Sequence, residues 1–270
     1  MMQYIPKRGF GTYRLRGDIA RTSTLLALQQ GYDHIDTANL YRNEDEVGKA
    51  ILASGRPRNE LWITTKIQVK DMKKGKDAIY NSILNSLNQL GTEYIDLVLF
   101  HGPIEDNIIE SWKIMEEIIL GNVDNLKNRV RFIGVSNYEI VHLENLLQNC
   151  RIKPYANQFE VSPYLCRENL IKYCQGKGIH VVAHTSLIKG EKFNDAKLTE
   201  LSEQVKISKP LLLLAWALHK NMIVLPRSSN PDHINENMKC LEIKLDSETI
   251  KALDAFHEGY CTHPQYIPKN

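Results

Sequence analysis

The stretch Tyr32-Asp33-His34-Ile35-Asp36-Thr37-Ala38-Asn39-Leu40-Tyr41 is typical of a short strand that ends at an acid, with a tyrosine five residues later. The residues that follow, Asn43-Glu44-Asp45-Glu46, predict a helix start, because an asparagine cap and early carboxylates suit the positive end of a helix. We therefore place Asp36 at the end of a strand and Tyr41 in the loop just beyond it.

The same strand–helix unit recurs along the chain. Two further predicted strands end in polar side chains, Leu61–Lys66 in a lysine and Ile95–His101 in a histidine. The strands are too apolar for a sheet with one wet face, as expected when helices cover both faces. The full set of predicted strands is Phe10–Tyr13, Tyr32–Asp36, Leu61–Lys66, Ile95–His101, Arg131–Ser136, Pro154–Glu160, His180–His184 and Met222–Pro226. The predicted helices are Asp18–Gln30, Asn43–Ser54, Lys76–Leu90, Ile109–Leu120, Glu139–Asn149, Arg167–Gly176, helical segments through Leu218, and a last helix through Lys239.

Such alternation fits either a closed barrel or an open doubly wound sheet. The open sheet usually carries Gly-x-Gly-x-x-Gly after its first strand, and the segment Gly9–Arg14 lacks the third glycine. We therefore predict an α/β fold of the (β/α)8 TIM-barrel type. We expect one domain over residues 1–270, with the active site at the C-terminal rim of the strands.

Composition narrows the functional classes. The chain has 270 residues and a formal net charge of +2, which gives no reason to expect nucleic acid as a partner. The apolar run Leu211–Leu218 is too short to span a membrane. The five cysteines are odd in number and show no Cys-x-x-Cys spacing, which favours a reducing compartment and argues against a zinc site. We expect a cytoplasmic, monomeric protein that works without metal or membrane.

Asp36, Tyr41, Lys66 and His101, here called the rim tetrad, have complementary chemistry. A tyrosine has a pKa of about 10, and a neighbouring ammonium lowers it. A carboxylate keeps the lysine charged, and a histidine can bind a substrate carbonyl. Such a site can donate a proton to a developing alkoxide, although it has no hydride source of its own. Each residue also has an ordinary reading: a capping acid, a packing tyrosine, a Schiff-base or surface lysine, and a structural histidine.

The chain resembles the aldo-keto reductase family from Gly9 to about Asn237. The matching stretches are Gly9–Tyr13, Gly31–Ala38 with Tyr41, Asn43-Glu44 and Val47-Gly48, Thr65-Lys66, Tyr94–His101 with Pro103, Ile133–Tyr138, Asn157–Glu160 with Pro163-Tyr164, and Leu225–Ser229 with Ile234 and Glu236-Asn237. The resemblance implies a TIM barrel that binds NADPH without a Rossmann fold.

The resemblance also implies roles for single residues. Tyr41 is the general acid, Lys66 tunes it, Asp36 supports Lys66 through a salt bridge, and His101 orients the carbonyl. The implied cofactor-binding residues are Thr12, Asp36, Ser136, Asn137, Gln158, His184, Thr185, Leu187, Arg227, Ser228, Ser229, His233, Glu236 and Asn237. The implied substrate pocket is Tyr13, Tyr41, His101 and Gly102.

Two departures from the family concern the cofactor. His184 replaces the tyrosine that stacks on the nicotinamide, so a protonated His184 would weaken NADP⁺ binding below neutral pH. Arg227 replaces the usual lysine at the 2′-phosphate, and His233 replaces an arginine. We expect NADPH as cofactor, with NADH possible and weaker discrimination against it.

Other departures concern the substrate side and the loops. Gly102 replaces a tryptophan, which predicts a wider pocket. The connection Gly121–Arg131 is longer than usual and is expected on the side of the barrel opposite the active rim. The tail after Phe256 is short, which predicts a shallow, open site that Tyr260 or Tyr266 can still reach.

These expectations favour an NADPH-dependent reductase of small aldehydes or ketones. One alternative is a catalytically silent NADP(H)-binding regulatory or scaffold subunit, although such a subunit does not need the complete rim tetrad. A second alternative is a lysine-dependent aldolase, which needs a neutral amine that Asp36 would disfavour.

Overall fold

The computed structural model describes residues 4–264. Within that range, eight parallel strands pair in chain order, each with the next. They are β1 (Phe10–Gly11), β2 (His34–Asp36), β3 (Trp62–Ile67), β4 (Ile95–Phe100), β5 (Val130–Ser136), β6 (Ala156–Glu160), β7 (His180–His184) and β8 (Ile223–Val224). The strands therefore begin and end within a few residues of their predicted bounds.

The sheet closes on itself between its first and last strands. Gly9 N donates to Val224 O at 2.8 Å, Val224 N donates to Lys7 O at 2.9 Å, and Gly11 N donates to Pro226 O at 3.0 Å. A side chain at Gly9 would bring its Cβ to 2.6 Å from the ring of His34, so this close approach requires glycine. The predicted (β/α)8 barrel is confirmed.

Helices surround the barrel. They are α1 (Gly17–Gln29), α2 (Glu44–Ser54), α3 (Val69–Met72), α4 (Lys76–Leu90), α5 (Ile108–Ile119), α6 (Ile140–Asn149), α7 (Glu168–Gly176), α8 (Ala196–Val205), α9 (Lys209–His219), α10 (Pro231–Met238) and α11 (Ser247–Asp254). Short 3₁₀ helices cover Asn39–Tyr41, Arg58–Glu60, Glu105–Asn107, Asp124–Leu126, Ile188–Gly190 and Lys239–Leu241. In the described part of the chain, no helix has the length and apolar character needed to cross a membrane.

Two predicted helix starts need correction. Helix α1 begins at Gly17 with Arg16 at its N-cap position, so the predicted first residue, Asp18, lies inside the first turn. Asn43 occupies the N-cap position of α2, but its side chain does not cap the helix. Its amide instead donates to Thr12 O at 2.9 Å and Leu15 O at 2.8 Å, which ties the loop after β1 to the loop after β2.

The barrel is filled by apolar side chains on both faces of the strands. The inner layer is the cluster of Ile5, Trp62, Leu97, Leu99, Ala156, Val182, Ile223 and Leu225. The long connection 121–131 leads into β5, and Arg129 O accepts a hydrogen bond from Ile95 N at the start of β4. This connection therefore lies at the N-terminal end of the strands, opposite the active rim, as predicted.

Candidate active site

The rim tetrad converges at the C-terminal ends of β2, β3 and β4. Lys66 Nζ donates to Asp36 Oδ1 at 2.5 Å and to Thr37 O at 2.9 Å, and it lies 3.4 Å from the hydroxyl of Tyr41. The 3₁₀ helix Asn39–Tyr41 turns the tyrosine back over the end of β3. Since the side chain of Lys66 is fully buried, its three polar contacts fix it in one place.

Asp36 is itself held from two sides. Its second carboxylate oxygen accepts a hydrogen bond from Gln158 Nε2 at 2.8 Å, and its backbone oxygen accepts one from the hydroxyl of Thr12 at 3.0 Å. Burial lowers the pKa of Lys66, whereas the carboxylate of Asp36 and, more weakly, that of Glu44 raise it. The lysine therefore depends on these acids for its charge.

His101 stands across the site from the lysine. Its ring lies 5.8 Å from the ring of Tyr41, edge to face, and its Nδ1 is buried with no hydrogen-bond partner among the described residues. Burial, with a smaller contribution from Lys66, lowers the pKa of His101 to about 3. A neutral imidazole can donate a hydrogen bond to a carbonyl oxygen without carrying a charge into the site.

These residues open into a cavity of about 1050 Å³. Sixteen of the predicted site residues line it: Tyr13, Asp36, Tyr41, His101, Ser136, Asn137, Gln158, His184, Thr185, Leu187, Arg227, Ser228, Ser229, His233, Glu236 and Asn237. Thr12 and Lys66 are buried behind the wall, where Thr12 contacts Asp36 and Lys66 contacts both Asp36 and Tyr41. Gly102 is also buried and is not among the residues that line the cavity, so its place in the substrate pocket stays a prediction.

The wall beside the tetrad is a hydrogen-bonded set of amides and hydroxyls. Ser136 Oγ donates to Gln158 O at 2.8 Å, and Asn137 Nδ2 donates to His101 O at 3.0 Å. His184 contacts Asn137 Oδ1 through Nε2 at 3.2 Å and Thr185 Oγ1 through Nδ1 at 2.9 Å. Burial holds the pKa of His184 well below its usual range. This favours a neutral His184 near neutral pH, and the expected loss of NADP⁺ affinity through its protonation stays a prediction.

The end of the cavity away from the rim tetrad, next to the start of α10, has groups that can bind a phosphate and a nucleotide base. Arg227 is held by Tyr13 O at 3.1 Å, and the side chain of Asn230 caps α10 by accepting from Asp232 N at 2.8 Å. A guanidinium, serine hydroxyls and a helix N-terminus together form a phosphate site. Asn237 Oδ1 is buried there without a partner among the described residues, so it can accept a hydrogen bond from an amino group. These residues fit a nicotinamide dinucleotide.

The tail supplies a wall that the sequence did not predict. The carboxylate of Glu160 accepts hydrogen bonds from Thr262 N and Oγ1, both at 2.8 Å, and from His263 N at 3.0 Å. The ring of His263 then lines the cavity, 6.0 Å from the ring of Tyr13. Residues 261–263 therefore cover part of the rim, and the expectation of a shallow, open site stays a prediction.

Tyr260 does not perform this role. Tyr260 donates its hydroxyl to Glu191 at 2.6 Å on the surface, and Tyr266 lies outside the described residues. Other cavity residues without a predicted role include Gly11, Arg14, Leu40, Ser186, Lys189, Gly190, Phe193, Ser202, Ser208, Lys209, Pro210, Leu225, Pro226 and Asn230. Several belong to the segment after β7, where no periodic pattern marked a binding role.

A barrel with this tetrad at its rim and a cavity that fits a dinucleotide has the features of a carbonyl oxidoreductase. A model of the aldo/keto reductase family matches residues 9–258, and the chain belongs to this family. It is 34% identical over 252 residues to methylglyoxal reductase DkgB of Escherichia coli O157:H7, covering 93% of this chain and 92% of that protein. It is 33% identical over 255 residues to the glyoxal reductase of Bacillus subtilis, covering 94% and 90%.

Solved structures agree. An aldo-keto reductase from a Medee basin deep-sea metagenome library superposes with a TM-score of 0.89 at 30% identity, covering 96% of this chain and 93% of that one. The aldose reductase of Schistosoma japonicum superposes with a TM-score of 0.88 at 26% identity, covering 98% and 93%. The resemblance inferred from the sequence motifs is confirmed, and family membership supports carbonyl reduction as the general activity.

Proposed function

We propose that this protein reduces small aldehydes and ketones to alcohols with NADPH, and that Tyr41 is the general acid. One observation carries the proposal: the hydroxyl of Tyr41 lies 3.4 Å from a fully buried Lys66 ammonium, which Asp36 holds at 2.5 Å. A structural tyrosine needs no such neighbour.

The chemistry follows from the charges. A phenol with a pKa of about 10 is a poor acid near neutrality, and a neighbouring ammonium stabilises its phenolate. Tyr41 therefore gives its proton to the oxygen of the carbonyl as negative charge develops there. His101, neutral in the folded protein, donates a hydrogen bond to the same oxygen. A reduced nicotinamide, when bound, supplies the hydride.

The preference for NADPH rests on the far end of the cavity. Arg227, Ser228 and Ser229 line it together, and Arg227 can bind a 2′-phosphate through two nitrogens. His233 is exposed and lines the same end, and an imidazole lacks the paired donors with which a guanidinium binds a phosphate. NADPH is therefore preferred, with weaker discrimination against NADH than a pair of permanent cations would give.

The substrate class follows from the relatives and from the wall above the tetrad. Two relatives act, by name, on methylglyoxal and glyoxal, which are small and polar. The cavity beside Tyr41 is lined by Tyr13, His101, His184 and His263, side chains that combine a flat ring with a polar atom. Small oxygen-rich carbonyls suit such a wall better than long apolar ones.

The test is a panel of aldehydes and ketones that includes methylglyoxal and glyoxal. NADPH oxidation is followed by absorbance, and the alcohol product is quantified. Equal amounts of NADPH consumed and alcohol formed support the proposal. Tight NADPH binding without turnover of any carbonyl would favour the silent subunit. Borohydride trapping of a carbonyl on Lys66 would favour the aldolase.

A further inference from the structure

Glu44 makes two contacts that the proposed mechanism has not used. It is the first residue of α2 and is 1% exposed. Thr65 Oγ1 donates to its Oε1 at 2.5 Å, and Asn39 Nδ2 donates to its Oε2 at 2.7 Å. Thr65 precedes Lys66 on β3, and Asn39 begins the 3₁₀ helix that ends at Tyr41. One buried carboxylate thus joins the strand of the lysine to the turn of the tyrosine.

Helix α4 holds the other side of that turn. Asn39 Nδ2 also donates to Ser86 Oγ at 2.6 Å, and Asn39 Oδ1 accepts from Ser82 Oγ at 2.5 Å. Every polar atom of the Asn39 side chain is therefore engaged, and Glu44 is the charged member of the set. Displacing Glu44 would remove one of the contacts that hold the start of the 3₁₀ helix, and with it part of the restraint on Tyr41.

The carboxylate also acts by its charge. Burial raises the pKa of Glu44, whereas its hydrogen bonds from Thr65, Ser86 and Asn39 and the charge of Lys66 act in the opposite direction. Both of its oxygens accept hydrogen bonds, which is how an ionised carboxylate is satisfied. Lys66 is faced by Asp36 from β2, by Tyr41 from the 3₁₀ helix and by Glu44 from α2, and it acts electrostatically on three imidazoles, those of His34, His101 and His184. Burial holds the pKa of each imidazole low, so Asp36 and Glu44 are the two negative charges that offset the ammonium.

We propose that Glu44 is a positioning residue of the reaction, which fixes the approach of Tyr41 to Lys66 and supplies the second negative charge of the lysine site. This inference rests on the proposed function of Tyr41 as the acid. It predicts separable effects, because contact and charge are removed by different substitutions.

Glu44→Gln removes the charge. Loss of a nearby negative charge favours the deprotonated forms of both Lys66 and Tyr41. The upper limb of the pH profile of kcat/KM should therefore move to lower pH by about one unit. Glu44→Asp keeps the charge but withdraws the carboxylate from its partners. It should lower kcat and leave the upper limb near its wild-type position.

A matched control lies elsewhere in the barrel. Glu116 on α5 is also 1% exposed, and it accepts hydrogen bonds from Arg151 N at 2.6 Å and Ile152 N at 2.8 Å. Glu116→Gln removes a buried acid of the same kind far from the tetrad. It should reduce the free energy of unfolding without moving the upper limb.

The experiment has a second readout that needs no cofactor. The phenolate absorbance of each protein is measured as a function of pH, and that of its Tyr41→Phe derivative is subtracted. The difference reports the titration of Tyr41. We expect a lower midpoint in Glu44→Gln than in wild type, and a wild-type midpoint in Glu116→Gln. A wild-type that fails to oxidise NADPH would refute the proposed function, while this titration would still decide the role of Glu44.

Two outcomes of the titration would overturn the inference. One is an unchanged Tyr41 midpoint in a folded Glu44→Gln protein, and the other is an equal shift in Glu116→Gln. If Glu44→Gln does not fold, Thr65→Val removes one contact to Glu44 and leaves the charge. This variant should lower kcat with the midpoint unchanged, and a wild-type kcat would overturn the inference as well.

Discussion

Replacing Glu160 by glutamine should release the tail from the active site. Glu160 is buried at the end of β6 and accepts four hydrogen bonds from the tail. Its Oε1 accepts hydrogen bonds from the backbone N and the hydroxyl of Thr262. Its Oε2 accepts them from His263 N at 3.0 Å and Cys261 Sγ at 3.2 Å. Glutamine has one acceptor oxygen, so two of the four contacts are lost and an amide group faces their donors.

The size of the effect follows from those contacts. A hydrogen bond to a charged group contributes about 1.5–3 kcal/mol, and the freed donors of an undocked tail regain water. A net loss of about 2 kcal/mol corresponds to an approximately 30-fold shift toward the undocked tail. Since His263 then leaves the cavity wall, we expect KM for a small aldehyde to rise by up to about the same factor. NADPH affinity should change little.

The assay combines steady-state kinetics, NADPH binding and limited proteolysis of the tail. Glu191→Gln is the matched control, because within residues 4–264 Glu191 accepts a single hydrogen bond from the tail, from the exposed hydroxyl of Tyr260. Faster cleavage and a higher KM in Glu160→Gln, but not in Glu191→Gln, support the reasoning. Wild-type KM and wild-type cleavage in Glu160→Gln would refute it.

Three further predictions concern the tetrad, acid stability and the cofactor. Lys66→Met should lower kcat by about 100- to 10,000-fold with NADPH affinity nearly kept, as measured by turnover and by fluorescence titration. Burial lowers the pKa of His34 to about 3, so below about pH 6.5 the unfolded chain binds a proton that the folded protein does not. His34 therefore lowers the free energy of unfolding by about 2 kcal/mol as the pH falls from about 7 to 5. In urea unfolding, the free energy of unfolding of His34→Gln should fall less than that of wild type over the same pH range. Arg227→Gln should reduce kcat/KM with NADPH by about tenfold or more and leave that with NADH nearly unchanged, and equal losses with both would contradict the phosphate role.

Local sequence signals were sufficient for the tetrad. Asp36 ends β2, Lys66 is the last residue but one of β3, and His101 follows β4. Parallel strands of a barrel bring their C-terminal ends to one rim. A tyrosine a few residues past the end of its strand can only reach the same rim. These placements depend on strand order and spacing, both of which the sequence shows directly.

Long-range contacts account for what was missed. Glu160 ends a strand like the tetrad residues, but its partners lie 101–103 positions away in a tail with no periodic pattern. Asn43 has the residue type of a helix cap, yet its amide is used by the loop after β1. His184 and Gly102 were assigned by analogy to larger residues. Charge state and exposure depend on burial, which motifs do not encode.

The central claim is that Tyr41 is an acid activated by Lys66, and Tyr41→Phe tests it most directly. The substitution removes one hydroxyl and keeps the ring that packs edge to face on His101. NADPH binding should persist while carbonyl-dependent NADPH oxidation falls by at least about 100-fold. Oxidation at the wild-type rate by Tyr41→Phe would contradict the account.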